Sequence, residues 1–313
     1  MAEINQKDGT WTFDGSTVRI VPGSDKSVSL LRKALGEVAV PLEALGGVSF
    51  EPGKKAGRLR LRLRNGADPL LQIAQGKLDD ASDPYRLVVE NARAGVAEYF
   101  VDEVRNALLL DGVESGPVGE YLLPGPSLPV TASAGDGTVT FDGERVRLGW
   151  NWKTEESKSS GGERVVGLAD VTSVEWLPST GLDNGFLRFG VAGAATAEAL
   201  PPKYDPHAVD LWGFRKDPLM ALVGAAVVAR LPHPYAPRAT PGGGAADAAP
   251  VAASTALPVL GKPAAAAAAE AGPGGEDHDV LLRRLRELGE LHREGILTEE
   301  EFAMAKQAVL RRM

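Results

Sequence analysis

The chain has 313 residues, 43% of them hydrophobic and 24% charged, with a formal net charge of −8, which is enough apolar material for two or three domains with buried cores. It contains no cysteine, which excludes disulfides, thiolate nucleophiles and Cys-based metal sites. The charge balance gives no positive excess to draw in nucleic acid, and the N-terminus, "MAEINQKDG", lacks the apolar run of a signal peptide, so a cytoplasmic protein is expected.

The first predicted element is the hairpin in "DGTWTFDGSTVRI", residues 8–20. Thr10–Phe13 and Thr17–Ile20 read as strands, with Asp14-Gly15 as the turn between them and Trp11 and Phe13 on one face. Nearly the same string, "DGTVTFDGERVRL", stands at residues 136–148. Three further blocks recur in the same order. "VPLEALGGVSFEP" at 40–52 matches "VGLADVTSVEWLP" at 166–178, "GRLRLRL" at 57–63 matches "GFLRFGV" at 185–191, and "DPY" at 83–85 matches "DPH" at 205–207. Four anchors in one order make a domain duplication.

Within the first copy, spacing of two places Arg58, Arg60, Arg62 and Arg64 on one face of a strand, with Leu59, Leu61 and Leu63 on the other. Lys54 and Lys55 add charge at its entrance. Such a face suits an anion: a phospholipid headgroup, a nucleic acid or an acidic partner. A solvated face, with the arginine stems covering their neighbours, is the commoner use of such a charge run. The second copy keeps only Arg188, because Phe186 and Gly190 stand where Arg58 and Arg62 do, so the fold does not require the ladder. Each copy ends in a helix. In "AGVAEYFVDEVRNALLL", Val96, Phe100, Val104 and Leu108 form one apolar stripe.

In the second copy, Trp150 and Trp152 flank Asn151. Spacing of two puts both rings on one side, as core or as an aromatic patch for a partner. Asp217 is placed to cap the closing helix, with Pro218 at its first position and Leu222, Val223, Ala226 and Val227 inward. The apolar run at 218–231 falls well short of the roughly 20 residues that span a bilayer.

The block order, with Val174-Glu175-Trp176, Pro178 and Gly185-Phe186-Leu187-Arg188-Phe189, resembles a bacterial domain-of-unknown-function family with a pleckstrin-homology-like fold that often occurs in tandem. Copy one departs from the motif, with Phe50 for the tryptophan and "AGRLRL" for the second block. The resemblance implies an α+β protein of two tandem pleckstrin-homology-like sheet domains, each closed by a C-terminal helix. It carries no catalytic residues.

Residues 232–277 turn to Ala, Pro and Gly, a composition that cannot offset chain entropy and is expected to be a disordered linker. In the tail, Leu285, Leu288 and Leu291 lie on a helical stripe that Gly295 ends. Thr298 then caps a second helix, with Glu301 completing a capping box. Leu282 to Leu310 resembles the short C-terminal domain family, SHOCT, which implies an oligomerisation or docking hairpin. Its assembly face would comprise Leu285, Leu288, Leu291, Ile296, Leu297 and Phe302. A hairpin of about 35 residues cannot bury its own apolar face and needs a partner.

No two of His207, His233, His278 and His292 have metal-ligand or triad spacing, and no phosphate loop is present. No catalytic, cofactor-binding or metal-ligating residue is assigned, and no cofactor is expected. The expected organisation is repeat 1 at 1–112, a connection at 113–135, repeat 2 at 136–231, a linker at 232–277 and a helical hairpin at 278–313. The expected function is a non-enzymatic binding or scaffold protein, homo-oligomeric or docked to a protein partner through the hairpin. Peripheral binding to an anionic membrane through the basic strand is the alternative, and no nucleic acid partner is expected.

Overall fold

The structure is a computed structural model that describes residues 1–236, apart from 182, 194–199 and 213–214. Residues 237–277 of the expected linker and the tail hairpin lie outside the described residues.

The first repeat runs β1 (Ala2–Gln6), β2 (Gly9–Phe13), β3 (Thr17–Pro22), α1 (Leu30–Leu35), β4 (Val38–Pro41), β5 (Leu45–Glu51), β6 (Ala56–Leu63), α2 (Pro69–Ala74), β7 (Arg86–Glu90) and α3 (Ala94–Leu110). The second runs β8 (Val130–Ala134), β9 (Gly137–Phe141), β10 (Arg145–Trp150), α4 (Glu156–Ser159), β11 (Arg164–Gly167), β12 (Val171–Leu177), β13 (Gly185–Val191), β14 (Ala208–Leu211) and α5 (Asp217–Val228). Each repeat has a four-stranded sheet (β1-β2-β3-β4; β8-β9-β10-β11) and a three-stranded sheet (β5-β6-β7; β12-β13-β14), and every strand pair is antiparallel. The protein is therefore mixed α+β, built on small antiparallel sheets.

Each copy begins one strand before the recurring string. β1 and β8 pair with β2 and β9, so the second copy starts inside the stretch 113–135 that the sequence marks as a connection. The earlier part of that stretch returns to the first repeat, where Val118 and Leu123 join its core.

The aspartates of the string explain its recurrence. Asp14 Oδ1 accepts from the backbone N–H of Ser16 at 2.9 Å and Thr17 at 2.8 Å. Asp142 Oδ1 accepts from Glu144 at 2.9 Å and Arg145 at 2.8 Å. These backbone donors hold both carboxyls below their ordinary range. The glycines that follow, Gly15 and Gly143, share a φ of 110°, a left-handed value that side chains resist. The other aspartate of each string joins three elements. Asp8 Oδ1 lies 2.7 Å from Arg32 on α1, and Asp8 Oδ2 accepts from Val88 N on β7 at 3.4 Å. Asp136 Oδ2 lies 2.6 Å from Lys158 Nζ on α4, and Asp136 Oδ1 accepts from Asp210 N on β14 at 2.9 Å. One carboxylate thus fastens the first sheet, the short helix and the second sheet of its repeat.

The first core gathers Trp11, Phe13, Leu59 and Leu61 under α3, which buries Ala97, Phe100, Val101 and Val104. Trp11 and Phe100 meet with ring centroids 6.3 Å apart. Burying each large apolar side chain here contributes about 1.5–3 kcal/mol. Val96 and Leu108 flank this stripe, packed at the edge of the core.

Helix α5 differs. From Asp217 to Val227 only Leu219 escapes full burial, the mark of a helix with partners all round. One side packs on β8, β9, β12 and β13, and α1 and α2 of the first repeat also pack on the helix. Leu31, Leu70, Ile73 and Ala74 of the first repeat accordingly belong to the second core. The helix starts one residue earlier than expected: Lys216 occupies the N-cap position and Asp217 the first turn. The buried Asp217 carboxylate accepts from the Ser179 hydroxyl and from Ser179 N at 3.2 Å, and Trp176 Nε1 donates to its carbonyl at 3.1 Å. Among the described residues, no helix is long and apolar enough to cross a membrane.

Candidate functional site

Strand β6 alternates strictly: Leu59, Leu61 and Leu63 are buried while Arg58, Arg60 and Arg62 are exposed. Arg64 follows the strand end. Two of the four arginines serve the fold. Arg62 donates to the Gly46 carbonyl at 2.8 Å, and Arg64 donates to Gly116 O at 2.8 Å and Glu43 O at 3.0 Å. No hydrogen bond or ion pair occupies Arg58 or Arg60 among the described residues. Lys54 and Lys55 are exposed in the turn before β6, and the Lys54 carbonyl accepts from Asn91 Nδ2 at 3.1 Å.

Arg58 and Arg60 line a groove of about 240 Å³ on the outer face of β5-β6-β7, with Ser49, Glu51, Arg86 and Val88. Val88 is 53% exposed and gives the groove an apolar patch. Arg86 is already engaged, by Asp83 at 3.0 Å and by Asp80.

The second repeat supplies an internal comparison. Arg188 holds the place of Arg60, but its neighbours differ. Across the strand pair Arg188 faces Glu175, whereas Arg60 faces Ser49. On the other flank Arg188 faces Ala208, whereas Arg60 faces Arg86. Arg188 Nε lies 2.9 Å from Asp205 Oδ2, Nη2 donates to Leu200 O at 2.7 Å, and the guanidinium sits 5.0 Å from the centroid of the Phe186 ring. Asp83, the counterpart of Asp205 in the "DPY" block, is taken by Arg86 instead. The same position is neutralised in one repeat and left charged in the other.

The tryptophan pair is not one patch. Strand β10 ends at Trp150, so the alternation that would align the rings stops there. Trp150 packs at the edge of the second core, donates from Nε1 to Gly162 O at 2.9 Å, and has Lys158 Nζ 4.6 Å from its ring centroid. Trp152 is 75% exposed on the following loop, with Lys153 Nζ 5.4 Å from its ring. The hairpin residues Leu285, Leu288, Leu291, Ile296, Leu297 and Phe302 lie outside the described residues.

Two histidines are better placed than their sequence context suggests. His207 is buried before β14, where Nε2 accepts from Arg164 Nε at 3.2 Å; burial pushes its ring below the ordinary range, with the Arg164 charge adding to the shift. His233, expected in the linker, is clasped to the first repeat. Its Nδ1 accepts from Tyr235 N at 3.2 Å, so Nε2 is the donor to Gly66 O at 2.9 Å. The Tyr121 ring meets it edge-on at 4.5 Å, and burial pushes the Tyr121 hydroxyl up to about 12.

A second groove of about 240 Å³ lies beside Val38, Asp68, Tyr85 and Pro126. Asp68 caps α2 by accepting from Leu70 N at 2.9 Å and Leu71 N at 3.3 Å, and it takes the Tyr85 hydroxyl at 2.7 Å. Burial pushes its carboxyl up, yet every one of these bonds serves the fold. The Asp68-Pro69 pair is a readable helix-start signal. Among the described residues, no group of three His, Cys, Asp or Glu side chains could hold a metal ion.

A family model described as Domain of unknown function (DUF4429) matches residues 11–105 and 139–228. A second, described as Short C-terminal domain, matches residues 283–310. No curated protein matches the chain.

Proposed function

This chain belongs to the family described as Domain of unknown function (DUF4429), whose domain it carries twice, and from that premise we propose that it is a non-enzymatic cytoplasmic binding scaffold. The tandem repeats form the recognition body, and the C-terminal hairpin joins chains to one another or to a protein partner. Each repeat is read as pleckstrin-homology-like, a reading supported by a four-stranded sheet, a three-stranded sheet and a closing helix in that order. The observation that carries the proposal is the shared helix α5, packed between its own sheets and α1 and α2 of the first repeat. It holds the two repeats in one body while leaving the outer face of β5-β6-β7 in the first repeat open.

A hairpin match of 28 residues at 283–310 is too short to bury an apolar face without a partner. Joining a weakly binding body to an assembling tail raises avidity without any new contact. The alternative, adsorption of the first repeat to an anionic membrane, is weakened because Arg62 and Arg64 are spent on backbone carbonyls.

Absolute mass by light scattering tests the proposal. The full chain is expected to be a multimer, and a chain ending at Ala236 a monomer. The full chain carrying Leu288→Asp and Leu291→Asp should also be a monomer. A monomeric full chain that captures no partner through residues 276–313 overturns the reading.

A further inference from the structure

We infer that the groove over Arg58 and Arg60 is a binding site for a phosphoryl dianion. The inference rests on the reading of the tandem repeats as a binding body and names what one face of that body recognises.

Two guanidiniums project from the same face of β6, about 7 Å apart along the strand, and neither has a partner among the described residues. Each presents a planar fork of donors suited to phosphate oxygens. Ser49, directly across from Arg60, adds a hydroxyl at the groove wall. Arg60 also stands opposite Arg86, a like-charge pairing that costs stability in a sheet. Asp80 and Asp83 relieve that cost for Arg86 and do not pair with Arg60. A bound dianion would relieve it for Arg60 and Arg58 together.

The second repeat shows how the same fold closes this face with its own side chains. There Glu175 replaces Ser49 in register, Asp205 pairs with the ladder arginine, and Phe186 replaces Arg58. The first repeat undoes each of these devices.

The remaining wall sets the size of the ligand. Glu51 stands across from Arg58, and Asp80 borders the groove. These acids repel an extended anionic surface such as a bilayer or a nucleic-acid strand, and they tolerate one compact group between the two guanidiniums. A groove of about 240 Å³ suits a single phosphoryl group with its ester arm. The group can belong to a free organic phosphate or to a phosphorylated side chain.

The test is phosphorus NMR of the full chain, titrated with glycerol phosphate and with a phosphoserine peptide. Line broadening is expected with both; tighter binding of a phosphoserine peptide than of glycerol phosphate assigns the source to a phosphorylated side chain, and the reverse order assigns it to a free organic phosphate. Ser49→Glu, which installs the counterpart of Glu175, should weaken binding at least about tenfold. Arg58→Gln with Arg60→Gln should do the same. Glu51→Gln should strengthen it about threefold, a gain that no folding defect can mimic. Absence of broadening in the natural chain overturns the inference, as does equal broadening in the Arg58→Gln/Arg60→Gln chain. Sedimentation with phosphatidylserine vesicles in the absence of phosphoserine binding overturns it too, in favour of a membrane surface. Chain mass does not depend on these surface substitutions, so failure here leaves assembly through the tail standing, and the converse holds.

Discussion

Asp8 and Asp136 hold the same position in their repeats and serve the same end with different cations. Lys158 has no side-chain exposure and Asp136 only 3%, whereas Asp8 is 24% exposed beside Arg32. Burial pushes the Asp136 carboxyl up against the pull of the Lys158 ammonium, so the pair contributes little net stability as a pair. Removing one partner is another matter, because it leaves a buried charge without compensation. Asp136→Ala should cost about 3–5 kcal/mol and also lose the bond to Asp210 N. Asp8→Ala should cost about 1–3 kcal/mol, since water reaches its site. Urea unfolding of both variants checks the order; equal costs would show that burial does not set the difference. This residue's role was only half legible. The string marks Asp8 and Asp136 as important, but their cations come from α1 and α4, two short helices without a periodic signal long enough to read.

At the scale of elements, alternation made the strands legible and length limited the rest. β2 from Thr10 to Phe13 and β6 from Arg58 to Leu63 show polar and apolar residues in strict turn, and the buried and exposed sides of β6 follow that pattern. β1 and β8 were missed because "AEINQ" and "VTASA" carry few strong strand formers. The ladder shows the limit well. Its face was readable, but the carbonyls of Glu43, Gly46 and Gly116 that consume Arg62 and Arg64 are remote in sequence. For α5, the inward residues were readable from the helical period, while the second set of partners was signalled only by apolar residues all round. Gly224 marks the close approach: a Cβ there would lie 3.0 Å from Ile73 Cγ1 on α2 and 3.4 Å from Leu187 Cδ1 on β13. Gly224→Val should therefore cost about 1–3 kcal/mol by overpacking, despite gaining a better helix former. Melting of the variant checks it, and an unchanged midpoint would mean that α2 can yield without loss.

Residues 1–236 hold a duplication whose two copies present different outer sheet faces. The second repeat covers the sheet face around Arg188 with its own side chains and backbone, while the first leaves the corresponding face open over Arg58 and Arg60. The first repeat, in turn, supplies α1 and α2 to a core it does not own. That exchange makes the repeats mutually dependent, and it is why a family domain found twice in sequence behaves as one body in space. Scanning calorimetry of the full chain tests this most directly. One transition, with equal calorimetric and van't Hoff enthalpies for the two repeats together, is the predicted result. Two separate transitions, each of the size of one repeat, would contradict it.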